Sequence, residues 1–272
     1  MMGRSVFVGK AQTAKTAIRA MIALGCGIVG SAALGKTVAL WPLSNNALTG
    51  EQCLRSAVHQ EDAFRLGAGV QFVDARLGWN LPANPDNPDS LLFDPVGGYC
   101  ARVLNGSDGA GSILSCTTIS DELLQTLYPQ HDHTVEGWVK FDSIPSDWWV
   151  VWYPFNGSGN TGGVNFTLRR PADKSEKVRW LLYVRGTGTN ALVNDGQFGA
   201  EILPDDITNR WMHIALTFKY NDPESNGKSA WRFYMDGVQH GSALTHDPLS
   251  TMAKPPAQIE IGGRSGSRRA VN

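Results

Sequence analysis

The chain has 272 residues, with 24 Lys+Arg against 25 Asp+Glu and a formal net charge of −1. That length suits one large domain or two small ones and allows a sizeable core. With 18% charged residues, 30 Gly and 9 Trp, the composition excludes a disordered chain, a coiled coil and a disulfide-dense miniprotein. A near-neutral charge also argues against a nucleic-acid binder, which carries a basic excess.

The neutrality hides an asymmetry. Residues 1–35 hold Arg4, Lys10, Lys15 and Arg19 and no acid, and the first acidic residue is Glu51. The remaining 36–272 carry 20 basic against 25 acidic side chains, a net of −5. After Arg19 runs AMIALGCGIVGSAALG, from Ala20 to Gly35. Sixteen residues are short for a membrane span, which needs about 20. A basic start, an apolar middle and small residues at the end describe a signal peptide over 1–35, cleaved after Gly35. The Leu24-Gly25-Cys26 stretch is an imperfect lipidation box. The leader is bacterial in style and predicts a secreted, periplasmic or cell-surface protein with no stable membrane span after cleavage.

The same stretch matches a phosphate-binding loop through Gly30, Gly35, Lys36 and Thr37. Such a loop needs a strand before it and a helix after it. Here Val38-Ala39-Leu40-Trp41-Pro42 follows, and Pro42 breaks any helix in its second turn. A nucleotide-binding enzyme is therefore the third-ranked reading.

In the body, Thr37–Leu43 reads as a short strand and 51–66 (EQCLRSAVHQEDAFRL) as a helix by composition. Residues 78–98, with Pro82, Pro85, Pro88 and Pro95, read as a long loop. Tyr99–Leu104 and Ser112–Thr117 read as strands around the Gly-rich turn 105–111. Ser120–Tyr128 is a short helix with Ser120 as N-cap and Asp121 and Glu122 in the first turn. His133–Phe141 alternates, with Val135, Gly137 and Val139 on one face and Thr134, Glu136, Trp138 and Lys140 on the other. Trp148–Tyr153 is apolar on both faces, as in a covered strand. Val164–Arg169, Val178–Arg185, Trp211–Tyr220, Ala230–Tyr234 and Gln258–Ile261 continue the series at the spacing of an all-β sandwich. In Trp211–Tyr220, Met212, Ile214, Leu216 and Phe218 form the inward set. Asp236-Gly237 carries the residue types of a tight hairpin turn.

Four of these segments, in order, resemble a known family. HTVEGWVKF at 133–141, NRWMHIALT at 209–217, RFYMDG at 232–237 and IEIGG at 259–263 resemble successive strands of laminin-G-like domains in the concanavalin A-like superfamily. TVALWPL at 37–43 resembles the opening strand of many bacterial members. The resemblance covers about 37–263. It implies an all-β antiparallel jelly-roll β-sandwich over 36–272 with short peripheral helices. It also implies a secreted or surface location, carbohydrate or protein binding on a rim or concave face, and Ca2+ in some members. A further closing strand normally follows the "iGg" strand in such domains and is not found before Asn272. The expectation is a C-terminally incomplete domain.

Some glucanases share this fold and carry three carboxylates as E-x-D-x-x-E on one strand face. That spacing occurs nowhere here. Adjacent pairs such as Asp121-Glu122 and Asp205-Asp206 point opposite ways on a strand. Glycoside hydrolysis is therefore the alternative to a non-catalytic module. Trp148, Trp149 and Trp152 could stack on sugar rings, although core packing is the commoner use of such residues. Asn156 and Asn160 lie in a Gly-rich loop, NGSGNTGGVN, able to rim a ligand site. His131 and His133 would share a strand face and could hold a metal. Asp236 could join a calcium site, but the turn already accounts for it. Without the leader, Cys53, Cys100 and Cys116 remain, an odd number. Cys100 with Cys116 is the preferred disulfide, joining the strands on either side of the Gly-rich turn. The expectation is an exported, non-catalytic module that binds a glycan or a surface protein and no nucleic acid.

Overall fold

The computed structural model describes residues 24–25, 38–41, 55–66, 70–74, 83–84, 87–91, 99–103, 114–127, 130–142, 148–155, 163–169, 177–185, 192–248 and 258–262. In chain order the strands are β1 (Leu24–Gly25), β2 (Leu40–Trp41), β3 (Phe64–Leu66), β4 (Val70–Asp74), β5 (Ala83–Asn84), β6 (Asn87–Leu91), β7 (Tyr99–Val103) and β8 (Leu114–Cys116). Helix α1 (Asp121–Thr126) follows. Then come β9 (His133–Lys140), β10 (Trp148–Phe155), β11 (Gly163–Arg169), β12 (Val178–Arg185), β13 (Leu192–Ile202) and β14 (Trp211–Asp222). The last are β15 (Lys228–Met235), β16 (Val238–Gln239), β17 (Leu244–His246) and β18 (Gln258–Ile261).

Among the described residues, seven strands form one sheet in the order β13-β12-β11-β10-β18-β8-β3. A five-stranded sheet runs β16-β15-β14-β9, with β17 also paired to β15. Every named strand pair in both sheets is antiparallel. This is the expected all-β sandwich.

The period-2 pattern decides which faces meet. On β11, Val164, Phe166 and Leu168 are buried in the core, and on β12 so are Val178, Trp180, Leu182 and Val184. From the five-stranded sheet come Met212, Ile214, Leu216 and Phe218 of β14 and Trp231 and Phe233 of β15. The seam is aromatic. Phe233 lies 4.8 Å from Trp180, 5.0 Å from Phe166 and 5.6 Å from Phe198 between ring centroids. Each such pair adds about 0.5–1.5 kcal/mol beyond area burial. Three contacts between facing sheets converge on one side chain, so Phe233 pins the layers in register.

The local expectations hold in part. Ser120 caps α1, accepting from the Leu123 amide at 3.3 Å. Asp236 (φ 49°) and Gly237 (φ 80°) are both left-handed and join β15 to β16 in a two-residue turn. Of the stretch 51–66, the described residues 55–66 are not a helix. Ser56 Oγ accepts from the amides of Val58 and His59, Arg55 bridges Ala63, and β3 begins at Phe64. A hydroxyl that satisfies nearby amides stabilises a turn in competition with the helix. The 78–98 segment contains the hairpin β5-β6.

The strands on either side of the Gly-rich turn do not pair with each other. β7 pairs β4, whereas β8 sits between β18 and β3. This bears on the expected bridge between Cys100 and Cys116, which is not formed. Cys116 is a free, buried thiol whose Sγ donates to the Thr118 carbonyl at 3.1 Å. Cys116 belongs to the core face of β8, while Cys100 is registered to Val73 in a separate two-stranded sheet. Burial, and then the nearby Asp62, pushes the Cys116 thiol up to about 12, so it stays protonated and unreactive.

Within the expected leader, Leu24–Gly25 pairs with Leu40–Trp41. The phosphate-loop residues Gly30, Gly35, Lys36 and Thr37 lie outside the described residues. Among the described residues no helix is long and apolar enough to cross a membrane.

Candidate functional site

The face of the seven-stranded sheet turned away from the core is polar. Its β11 positions are Asn165, Thr167 and Arg169, alternating with the core residues of the same strand. Asn165 is registered to Tyr183 of β12, Thr167 to Leu181, and Arg169 to Arg179. Leu181 is registered in turn to Gln197 of β13. On β18, Gln258 and Glu260 flank the core residue Ile259, and Glu260 is registered to Ser115 of β8.

This face is partly buried and partly open to solvent, with Asn165, Arg169, Arg179, Gln197 and Gln258 half-buried. Thr167 and Glu260 are 0% exposed, and Leu181 and Tyr183 are also buried. Several of its groups have protein partners. Arg179 Nε donates to Glu201 Oε1 at 2.6 Å, Gln197 Nε2 donates to the Gly199 carbonyl at 2.9 Å, and Gln258 Nε2 donates to Glu260 Oε1 at 3.1 Å. The buried atoms Asn165 Oδ1 and Thr167 Oγ1 have no hydrogen-bond partner. They stand two residues apart on one strand, roughly 7 Å along it. A buried polar atom left unpaired costs about 1–3 kcal/mol, and two on one face form a ready position for a ligand bearing hydroxyl groups. One carboxamide oxygen accepts, and one hydroxyl both accepts and donates.

The outer face of the five-stranded sheet holds a second polar group. His213 Nε2 of β14 is 3.6 Å from Glu136 Oε2 of β9, and the His213 ring lies 5.4 Å from that of Trp138. Burial pushes His213 below the usual histidine range, against a weaker upward pull from Asp236. The ring is therefore neutral at neutral pH. A neutral imidazole 3.6 Å from a buried carboxylate is a close polar contact, neither a salt bridge nor a hydrogen bond.

The residues singled out in the sequence do not gather at one place. By register, Trp149 is opposite Leu168 and Trp152 opposite Phe166, which are core positions. Trp148 is opposite Arg169, on the polar face. Ordinary alternation separates Trp148 from Trp149, and a bulge between Val150 and Trp152 brings Trp152, three residues on, into register with a core position as well. Asn156 and Asn160 lie outside the described residues. His133 is buried, and its Nδ1 bonds the His131 carbonyl at 2.9 Å, whereas His131 is exposed before the strand begins. The two imidazoles therefore do not share a face. Asp236 has both oxygens occupied, Oδ2 by Arg210 Nη1 at 2.8 Å and Oδ1 by the His213 amide at 2.9 Å. Among the described residues no group of three or more His, Cys, Asp or Glu side chains could hold a metal. Asn165, Thr167 and Glu260 were missed as site residues. The signal for Asn165 and Thr167 was their strict alternation with Val164, Phe166 and Leu168, and that for Glu260 was its place between Ile259 and Ile261 on β18.

The family model described as the concanavalin A-like lectin/glucanases superfamily (Laminin_G_3) matches residues 116–272. The chain belongs to this superfamily. The matched residues contain β9 to β18, and so every strand of the five-stranded sheet and most of the seven-stranded one. Among solved structures, the alginate lyase Aly36B has a TM-score of 0.33 at 11% identity, over 75% of this chain and 89% of that one. An endo-1,3-beta-glucanase from Streptomyces sioyaensis also has a TM-score of 0.33, at 12% identity, over 80% of this chain and 72% of that one. No curated protein sequence matches the chain.

Proposed function

We propose that this concanavalin A-like domain is an exported, non-catalytic carbohydrate-binding module whose ligand lies against the outer face of the seven-stranded sheet. The observation that carries this reading is the pair of unpartnered buried atoms, Asn165 Oδ1 and Thr167 Oγ1, on one strand face. Sugar hydroxyls supply the donors and acceptors these atoms lack. The basic leader, Arg4 to Arg19 ahead of an apolar run, supports export.

A glycoside-cleaving role requires two carboxylates about 5–5.5 Å or 6.5–9.5 Å apart. Among the described side chains of this face, the carboxylates are Glu260 on β18 and Glu201 on β13, the latter held by Arg179. Four strand spacings separate β18 from β13, roughly 19 Å at about 4.8 Å each. That distance is too long for either geometry, which favours binding over hydrolysis.

The test is affinity electrophoresis of the intact protein through gels containing a panel of neutral and acidic polysaccharides. At least one polysaccharide should retard it. Asn165→Ala with Thr167→Val should weaken that retardation about tenfold or more, as expected for two lost hydrogen bonds of about 1 kcal/mol each. Reducing-end and unsaturated-product assays on the same panel should stay at background. Turnover, lost on Glu260→Gln, would replace the binding reading with an enzymatic one.

A further inference from the structure

One end of the five-stranded sheet holds two buried histidines. His133 of β9 lies 5.3 Å from the Phe218 ring of β14 and 5.6 Å from the Trp231 ring of β15. His246 of β17 stacks on the other part of the same cluster, 6.2 Å from Phe218. Its hydrogen bonds fix its tautomer. Trp231 Nε1 is 3.1 Å from His246 Nε2. Indole nitrogen is a donor only, so Nε2 must carry a lone pair. The proton is then on Nδ1, which donates to the Asp247 carbonyl at 2.8 Å. Both ring nitrogens are used, and only the neutral ring can use them both.

β17 is a short edge strand. It is three residues long, is registered to β15 through Leu244, Thr245 and His246, and also packs against β13. A proton on Nε2 would set an N–H against the indole N–H and turn an attraction into a repulsion.

We propose that His246 is an acid-sensitive latch: in its neutral form it ties β17 to Trp231, and protonation of Nε2 by solvent in mild acid frees β17 from the sheet edge. The surroundings offer the imidazolium little compensation. The titratable groups on its own segment, on the elements that pack against β17 and beside the same aromatic cluster include Asp247, Lys228 of β15, Glu201 of β13, and His133 of β9 with His131 and Asp132 before it. Asp247 is exposed with Lys228 3.9 Å away, Asp132 accepts from the Tyr220 amide, and Glu201 is held by Arg179. His133 brings no negative charge. Burial pushes both His133 and His246 below the usual histidine range.

The test is amide hydrogen exchange of the full chain at pH 7.5 and pH 5.0, corrected for intrinsic rates. Protection of Leu244, Thr245 and His246 should fall about tenfold or more in acid beyond whatever loss of global stability Ile214–Phe218 of β14 records. His246→Gln keeps an acceptor for Trp231 and cannot titrate, so in that variant β17 should lose no more protection than β14 does, within about twofold. Trp231→Phe removes the opposing N–H and should likewise remove the excess response; it stands in if His246→Gln does not fold. A β17 response absent from the native protein, or no larger than that of β14, would overturn the proposal. So would a full response surviving in His246→Gln, which would point to His133.

Discussion

Two glycines separate the cost of a backbone angle from the cost of close approach. Gly227 and Gly241 both have φ 76°. A Cβ added at Gly227 meets nothing within 4 Å, whereas one at Gly241 runs into the backbone of Gly199 and Phe198 on β13. Gly227→Ala should therefore cost only the left-handed penalty, about 1–2 kcal/mol. Gly241→Ala adds a backbone clash that no rotamer change relieves and should cost about 3 kcal/mol or more. Urea unfolding of the two variants measures the difference, and equal losses would mean that the two segments do not touch. The sequence showed neither role, since a glycine that meets another strand's backbone looks the same in one dimension as a glycine in open water. The same applies at the candidate site. The alternation of Asn165 and Thr167 was legible, but that their polar atoms lack partners depends on neighbours from other strands.

At the scale of elements, the strands that alternate and the turns with chemical signatures were legible. Asp236-Gly237 is the clearest case, because both central φ values are positive and few residues tolerate that. The turn can be dissected. Gly237 has open space around its Cβ position, so Gly237→Ala should cost about 1–2 kcal/mol through its φ alone. Asp236→Ala strains its own φ and removes the acceptor for the His213 amide, so thermal or urea unfolding should show a loss at least as large. Asp236→Asn keeps an acceptor and tolerates the left-handed region, and should recover most of it. The Arg210 partner is half-exposed and contributes little. β13 was not legible. Asn194-Asp195-Gly196 and Gly199 are residue types common in turns, yet Phe198 and Ile202 bury in the core and the whole segment pairs with β12. Tertiary pairing overrode local propensity there. The reverse happened at 55–66, where helical composition lost to the side-chain-capped turn at Ser56 and to the carboxylate of Asp62, which accepts from the backbone and hydroxyl of Ser120.

At the scale of the molecule, the sandwich was legible because alternation names the faces, but the order β13-β12-β11-β10-β18-β8-β3 was not, because it depends on long-range register. Insertion of β18 between β10 and β8 has no local signature. The assembled core also sets the protein's response to pH. His133, His213 and His246 all lie below the usual histidine range, in each case chiefly through burial. Unfolding returns each to about 6.5. Between the lowered folded value and 6.5 the unfolded chain therefore binds more protons than the folded one, and stability rises with pH across that window. Above about pH 7 both states hold these rings neutral and the dependence is flat. As pH falls below about 6.5, each proton taken up on unfolding steepens the loss by up to ~1.4 kcal/mol per pH unit. Asp62 acts in the opposite sense, since burial raises it despite its bonds from Ser120, and its contribution to stability improves as pH falls towards 4. Asp222 is buried, but bonds from Arg232, Ser225 and the Glu224 amide outweigh that effect and lower it. Its stabilising contribution is lost only near and below pH 4. The urea midpoint should therefore be constant from pH 8 to 7 and fall between 6.5 and 5, well above the carboxylate range. A midpoint flat down to pH 5 would mean that the three rings are solvated, and that the core they occupy is packed differently.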